Sequence, residues 1–422
     1  MVYYFYGLRY ARSRHRPHPR FNYYEKSMNP PLKTIIFIEP TCRGSRLQNL
    51  VTCIEAVKSH CRIILLTRLD YQHDHFFELT KAHRDSFEII PIDIDLDGTW
   101  IRRLTSREFK KYLKKIIELD RQLKESYDLF FLAIDDYLPA FTFGFPCRFR
   151  LKHLQHIFAL KYRVEFLIYL KGCFKNQLLK IMTHAALYAW KAQLLVLDDR
   201  LENFRIAGKR VQTLPDPWLG DFSSAYKREG REKFGFKPQD FVVLVIGRQT
   251  PRKGFNVVLA SLDQLFSKLP NITVAIFGVI DEPYQSSLKK AVDKHGPERI
   301  RHTSSFVPEK DLAYLYAAAS VVLLPYDRSF TATSGVLPRA SASGIPVVAS
   351  DHGAIGYLVK KWNVGELMKA GSVDDLLAGI HQIHSANDQN RAQQDGIHKF
   401  AQSCSEKAFI KRIRKILKVP KD

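Results

Sequence analysis

The stretch Gly247-Arg248-Gln249-Thr250-Pro251-Arg252-Lys253-Gly254 sets basic side chains between glycines, directly after an apolar run and directly before an amphipathic one. Arg248 offers a planar fork of donors that fits phosphate oxygens bidentately, and Lys253 a mobile point charge. Together they would neutralise a diphosphate leaving group; the alternative is a solvated basic turn. Further along, SFTATSGVLPRASASGIPVVASDHGAIG (Ser329 to Gly356) brings Thr331, Thr333 and Ser334 just ahead of a helix expected from about Gly335 to Ser343. Free N–H groups at a helix start favour anions. Capping by Ser334 alone would also account for that pattern.

Two weaker signals lie earlier in the chain. Cys42-Arg43-Gly44-Ser45-Arg46 reads as a strand-to-helix turn in which Gly44 lets backbone approach a phosphate or sugar, or simply makes the turn. Asp135-Asp136 ends an apolar run; such a pair binds metal, orients a hydroxyl or caps the next turn. His153 and His156 are spaced for one face of a helix, where two histidines are more often solvated than ligands. No H-E-x-x-H, G-x-S-x-G or Walker sequence occurs, which removes zinc-hydrolase, serine-hydrolase and P-loop readings.

Positioning these residues requires strands and helices in alternation, and the hydrophobic pattern supplies them. Apolar runs at TIIFIEP, CRIILLT, FEIIPIDI, DLFFLAID and AQLLVLD alternate with longer segments, predicting helices over 46–59 and 106–125. A second set follows: FVVLVIG, ITVAIFG, VVLLPY and PVVAS, with helices expected over 255–268, 283–294, 309–320 and 373–384. This rhythm predicts an α/β protein with parallel sheets covered on both faces. LPDPWLGDFSS, rich in turn formers, marks the linker. The expected organisation is a basic, aromatic arm over 1–31, domains over 32–217 and 218–396, and a closing helix in 397–422 that packs back on the first domain.

The 422 residues suit two domains, and 45% hydrophobic with 26% charged residues excludes collagenous or wholly disordered chains. Lys and Arg number 65 against 43 Asp and Glu, a net charge of +22 that favours an anionic partner. Segment 148–180 mixes basic and aromatic residues with a single acid, Glu165, and suits an anionic bilayer surface. The 106–125 helix carries Phe109, Leu113, Ile116 and Leu123 against a lysine-rich remainder, which fits a core face with a solvated basic face or a membrane-docking helix. No nucleic-acid motif accompanies the charge. Six scattered cysteines without a C-x-x-C pair fit a reducing, cytoplasmic setting, peripheral on the inner face of a membrane if the basic segments dock.

GRQTPRKG, AIFG, FVPEKDLAYLYAAASVVLLPY and SGVLPRASASGIPVVASDHGAIG follow one another in an order that resembles the C-terminal nucleotide-sugar domain of family 4 glycosyltransferases. The resemblance covers roughly Val211 to His384. It implies two Rossmann-like domains facing across a cleft, the GT-B architecture, and transfer of a sugar with retention of configuration from a nucleotide-diphosphate donor to a glycan or lipid-linked acceptor. It implies no metal and no cofactor beyond the donor. Arg248 and Lys253 match the residues that grip the diphosphate, beside Gly247; Ser334 and Gly335 would present donors, Gly44 would close the site from the other domain, and Asp135 or Asp136 would orient the acceptor hydroxyl. Where the family commonly carries two glutamates, this chain has Thr331 and Arg339. A guanidinium accepts no hydrogen bond from ribose but pairs with phosphate. The departure leaves a rival reading, a catalytically silent sugar-binding or scaffold protein.

Overall fold

A computed structural model describes residues 33–42, 44–68, 74–94, 107–168, 174–386 and 391–420. The arm over 1–31 lies outside the described residues. Strands β1 (Lys33–Ile38), β2 (Cys61–Arg68), β3 (Glu88–Ile92), β4 (Tyr127–Phe131), β5 (Leu154–Lys161), β6 (Gln193–Val196) and, after the small hairpin β7 (Arg205–Ile206) and β8 (Lys209–Arg210), β9 (Gln212–Thr213) build the first half. Its sheet runs in the order β3-β2-β1-β4-β5-β6-β9, with every pairing parallel.

The second half repeats the plan with β10 (Phe241–Ile246), β11 (Ile272–Phe277), β12 (Ile300–Thr303), β13 (Val321–Leu324), β14 (Val347–Ser350) and β15 (Gly365–Met368), ordered β12-β11-β10-β13-β14-β15. Each sheet reverses its winding next to its first strand, between β1 and β4 and between β10 and β13. Ligands of open α/β sheets bind outside the strand ends at such switch points.

Continuous apolar runs suit these strands because both faces are covered. Ile36 and Ile38 enter one core layer of the first half while Ile35 and Phe37 enter the other. In β10, Val242 and Leu244 face one layer, Val243 and Val245 the second. No helix among the described residues is long and apolar enough to cross a membrane.

Several expectations change. The basic segment 148–180 is not one amphipathic unit: β5 passes through it with Ile157 to Lys161 buried at the centre of the sheet. His153 and His156 therefore sit before and on a strand rather than on a helix; His156 bonds Asp128 and His153 the backbone of Asp120, each separately. The 106–125 segment is the helix Arg107–Leu123, and Phe109, Leu113 and Ile116 are buried, so that face is core.

The C-terminal stretch is two helices, Arg391–Ser403 and Glu406–Leu417. The former buries Ile397 and Phe400 in the second half. Ser405 then caps the latter, its Oγ accepting from Ala408 N at 3.2 Å, and Phe409, Ile413 and Leu417 fill the first half beside the helix Gly44–Val57. The two crossings touch, since Trp218 donates its backbone N–H to Cys404 O at 3.3 Å and its indole N–H to Ala401 O at 3.0 Å.

Candidate functional site

At the switch point of the second sheet the chain leaves β10 through Gly247, whose φ of +97° favours glycine. It then makes a tight turn over Pro251–Lys253 and reverses at Gly254. A Cβ on Gly254 would lie 1.8 Å from Pro325 O, so only glycine lets this turn press against the end of β13. That contact aims Lys253. Its Nζ donates to the Tyr326 hydroxyl at 2.7 Å and stands 5.8 Å from the Phe330 ring centre. Tyr326 Oη and Ser334 Oγ are 3.1 Å apart. The ammonium has further N–H donors beyond the one spent on Tyr326.

Arg248 lies across the same turn, 64% exposed, and is held by Asp281: Nη2 and Nε approach its carboxylate at 3.0 and 3.1 Å. The Asp281 carboxylate holds the guanidinium pKa above its ordinary value. Lys253 and Ser334 thus converge on Tyr326, with Gly247 beside the Lys253 ammonium, while Arg248 stands at the rim on a solvent-exposed ion pair.

Ser334 does not cap. The helix is Val336–Ala342, and Gly335 is its N-cap without a side-chain hydrogen bond. The Thr331 Oγ1 is buried with no hydrogen-bond partner, while Thr331 O accepts from Ala354 N and from Arg200 Nη2, both at 3.0 Å. Arg339 turns toward Glu309, with Nη2 to Oε1 at 3.3 Å, and Gln48 of the first half reaches the same oxygen at 3.4 Å.

In the first half, Gly44 opens the helix Gly44–Val57 after β1. The Asp135 carboxylate is committed elsewhere: it accepts from Lys161 Nζ at 2.8 Å and from the backbone N–H groups of Tyr162 and Arg163 at 2.8 and 3.0 Å. Burial opposes its charge, yet Lys161 and these N–H groups outweigh it and hold the carboxyl below its usual range. Asp135 clamps the end of β5 and is not placed to orient an acceptor. Asp136 closes the turn Ile134–Asp136, and its side chain lies outside the described set. Glu39, which no motif singles out, is a buried carboxylate just past β1 that accepts from Thr41 N at 2.9 Å and Thr41 Oγ1 at 2.7 Å. Its position at a strand end was the available signal.

The halves are tied by Arg200, which also pairs with Asp198 at 2.7 Å, and by Lys361 to Asp199 at 2.9 Å. Beside this junction is a cavity of about 310 Å³ whose lining includes Asp199, Asp216, Thr333, Ser334, Phe400 and Arg412. Gly247, Arg248 and Lys253 do not line it. Asp216, read from sequence only as linker, is half-buried there. Burial pushes its carboxyl up to about 6, against the pull of Arg339 and a hydrogen bond from Thr333.

Residues 227–400 match the family described as glycosyl transferases group 1. A D-inositol 3-phosphate glycosyltransferase of Rhodococcus erythropolis is 28% identical over 174 residues, 40% of this chain and 37% of that protein. A GDP-mannose-dependent alpha-(1-6)-phosphatidylinositol monomannoside mannosyltransferase of Mycolicibacterium smegmatis is 27% identical over 176 residues, 40% of this chain and 44% of the relative. The match thus spans less than half the length of either relative. Among solved structures, sucrose-phosphate synthase from Thermosynechococcus elongatus aligns with a TM-score of 0.68 at 15% identity, over 92% of this chain and 98% of that one. Anabaena HepE in complex with UDP aligns at 0.66 and 15% identity, over 92% and 100%. These likenesses show the fold, two Rossmann-like domains in the GT-B arrangement.

Proposed function

We propose, on the premise that residues 227–400 belong to the glycosyl transferases group 1 family, that this protein transfers a sugar from a nucleotide-diphosphate donor to a hydroxyl of a glycan or lipid-linked acceptor. The observation that carries the reading is the convergence of Lys253, Tyr326 and Ser334 beside Gly247 at the second switch point. A cation fixed there by a hydroxyl is pre-aimed at charge developing on a departing diphosphate, and such preorganised groups lower the barrier without reorganising during the reaction. Arg248 joins from the rim, exchanging Asp281 for phosphate oxygens. With retention, the bond from the anomeric carbon to the diphosphate oxygen breaks on the face where the acceptor oxygen bonds, and that diphosphate oxygen takes the acceptor proton. Thr331 Oγ1 lacks a partner but is buried, so its contact with a sugar hydroxyl would require its loop to move.

The relatives' names support the donor class: one is GDP-mannose-dependent, and a fold neighbour was solved with UDP. A panel of UDP-, GDP- and ADP-sugars with simple hydroxyl acceptors, followed by NMR of the product, tests the reading. An α-linked product from an α-linked donor supports it; an inverted product overturns the retaining step.

One observation favours the rival. Arg339 and Glu309 occupy each other where the family carries a ribose-binding carboxylate, so the donor pocket departs from the usual chemistry. Donor binding with neither transfer nor hydrolysis across the panel would establish a silent, sugar-binding member.

A further inference from the structure

The helix Phe174–Trp190 is apolar on two opposite sides, yet only one of them is covered. Its inner side buries Thr183, Ala186, Leu187 and Trp190, with Trp190 stacked on Phe141 at 5.0 Å between ring centres. Its outer side presents Phe174, Leu178, Ile181 and Tyr188, recurring every three or four residues or a multiple of that step, with Phe174 81%, Ile181 65% and Tyr188 71% exposed. A helix hydrophobic all round is normally buried, and a contiguous exposed apolar face marks an interaction surface. The helix Leu138–Phe143 and the turn Phe145–Arg150, which pack against it, add the exposed rings of Phe143 and Phe149.

The charge around this face selects its occupant. From Tyr137 to Lys191 the sole acidic residue is Glu165, whereas Arg148 and Arg150 lie in the turn that packs against this helix, Lys180 is on the helix, and Lys191 follows it directly with its carbonyl bonded by Lys209. Lys180 lies along the Phe204 ring, 6.0 Å from its centre. A second copy would bring the same positive rim, and the chain's own N-terminal twenty residues are basic and contain no acid. Neither complements the patch.

We propose that the outer face of helix Phe174–Trp190, with Phe143 and Phe149, docks on an anionic phospholipid surface. The aromatic and aliphatic side chains enter the acyl boundary and the basic rim meets lipid phosphates, the two attractions that hold a helix in the plane of an interface. This surface goes beyond the transfer reaction and stands whether or not the protein transfers sugar. It also replaces the continuous 148–180 segment as the docking element, because β5 withdraws Ile157 to Lys161 into the sheet.

The test is flotation of the full-length protein with vesicles of phosphatidylcholine alone or of phosphatidylcholine and phosphatidylglycerol in equal parts. Wild type should float with the mixed vesicles at low salt, and release at high salt. Phe174→Asp and Ile181→Asp should each cut the bound fraction roughly tenfold. Both side chains are solvent-exposed, so circular dichroism and melting temperature should stay at wild-type values, which separates lost docking from lost folding. Undiminished flotation of either variant, or equal flotation with the neutral vesicles, overturns the proposal. So does a wild-type dimer in sedimentation velocity that Ile181→Asp dissociates.

Discussion

Lys253 Nζ donates to the Tyr326 hydroxyl across 2.7 Å, and that hydroxyl lies 3.1 Å from Ser334 Oγ, so one phenol links the turn after β10 to the loop after β13. The cation is thereby fixed at the switch point before any ligand arrives. Tyr326 is buried and its ring position is set by packing, so removing only its oxygen leaves the fold in place. Tyr326→Phe should weaken nucleoside-diphosphate binding about fivefold, by loosening the cation that meets the ligand. Calorimetric titration measures this, and unchanged affinity would show that Lys253 needs no such tether.

Arg248 is held by Asp281 at the surface, and exposed ion pairs contribute about 0–1 kcal/mol. A diphosphate should therefore displace Asp281 with little loss. Asp281→Asn should tighten diphosphate binding up to about fivefold by freeing the guanidinium, whereas Arg248→Ala should weaken it. Weaker binding by Asp281→Asn would show that the carboxylate aims Arg248 rather than competing for it.

Asp216 gives the fold a pH dependence. Its carboxyl stands at about 6 in the folded protein, above the ordinary value of about 3.9 in an unfolded chain. A raised folded value means that protonation favours folding: the contribution is complete below about pH 4 and is lost as pH rises through about 6. Asp216→Asn cannot ionise, so its melting temperature should gain on wild type as pH goes from 5 to 8. Parallel pH profiles for the two proteins would refute the assignment.

Arg200 joins the halves while neutralising the buried Asp198. Arg200→Ala leaves that carboxylate without its cation and takes one of two donors from Thr331 O, which should cost about 3 kcal/mol in denaturant unfolding. Arg200→Lys should restore only part of this, since an ammonium cannot reproduce the forked geometry. Full stability in Arg200→Ala would mean that the other ties, Lys361 to Asp199 and the C-terminal helices, hold the junction without it.

Much of this was legible in the residues. Apolar runs such as Phe241–Ile246 and Ile272–Phe277 announce strands buried on both faces, and the basic loop between Gly247 and Gly254 lies where such a strand ends. What pattern could not give was pairing at a distance. β5 was hidden because its last residue is a lysine, a charge that reads as surface until Asp135 is found beside it. The same ion pair engages Asp135, which reads from sequence as free to orient an acceptor hydroxyl. Ser334 reads as a cap by spacing, yet its hydroxyl faces Tyr326, a residue that looks like nothing more than the end of a strand. Asp216 sits between prolines in a plain linker sequence, and only the junction around it raises its carboxyl.

The central claim is that Lys253 at the second switch point binds the diphosphate of a nucleotide donor. Calorimetric titration of UDP and GDP into wild type and Lys253→Ala tests it most directly. The expected result is saturable binding of at least one nucleotide to wild type, weakened about a hundredfold in Lys253→Ala and still weakened in Lys253→Arg, with unchanged melting temperatures. Equal affinity in wild type and Lys253→Ala, or no binding of either nucleotide to wild type, would contradict it.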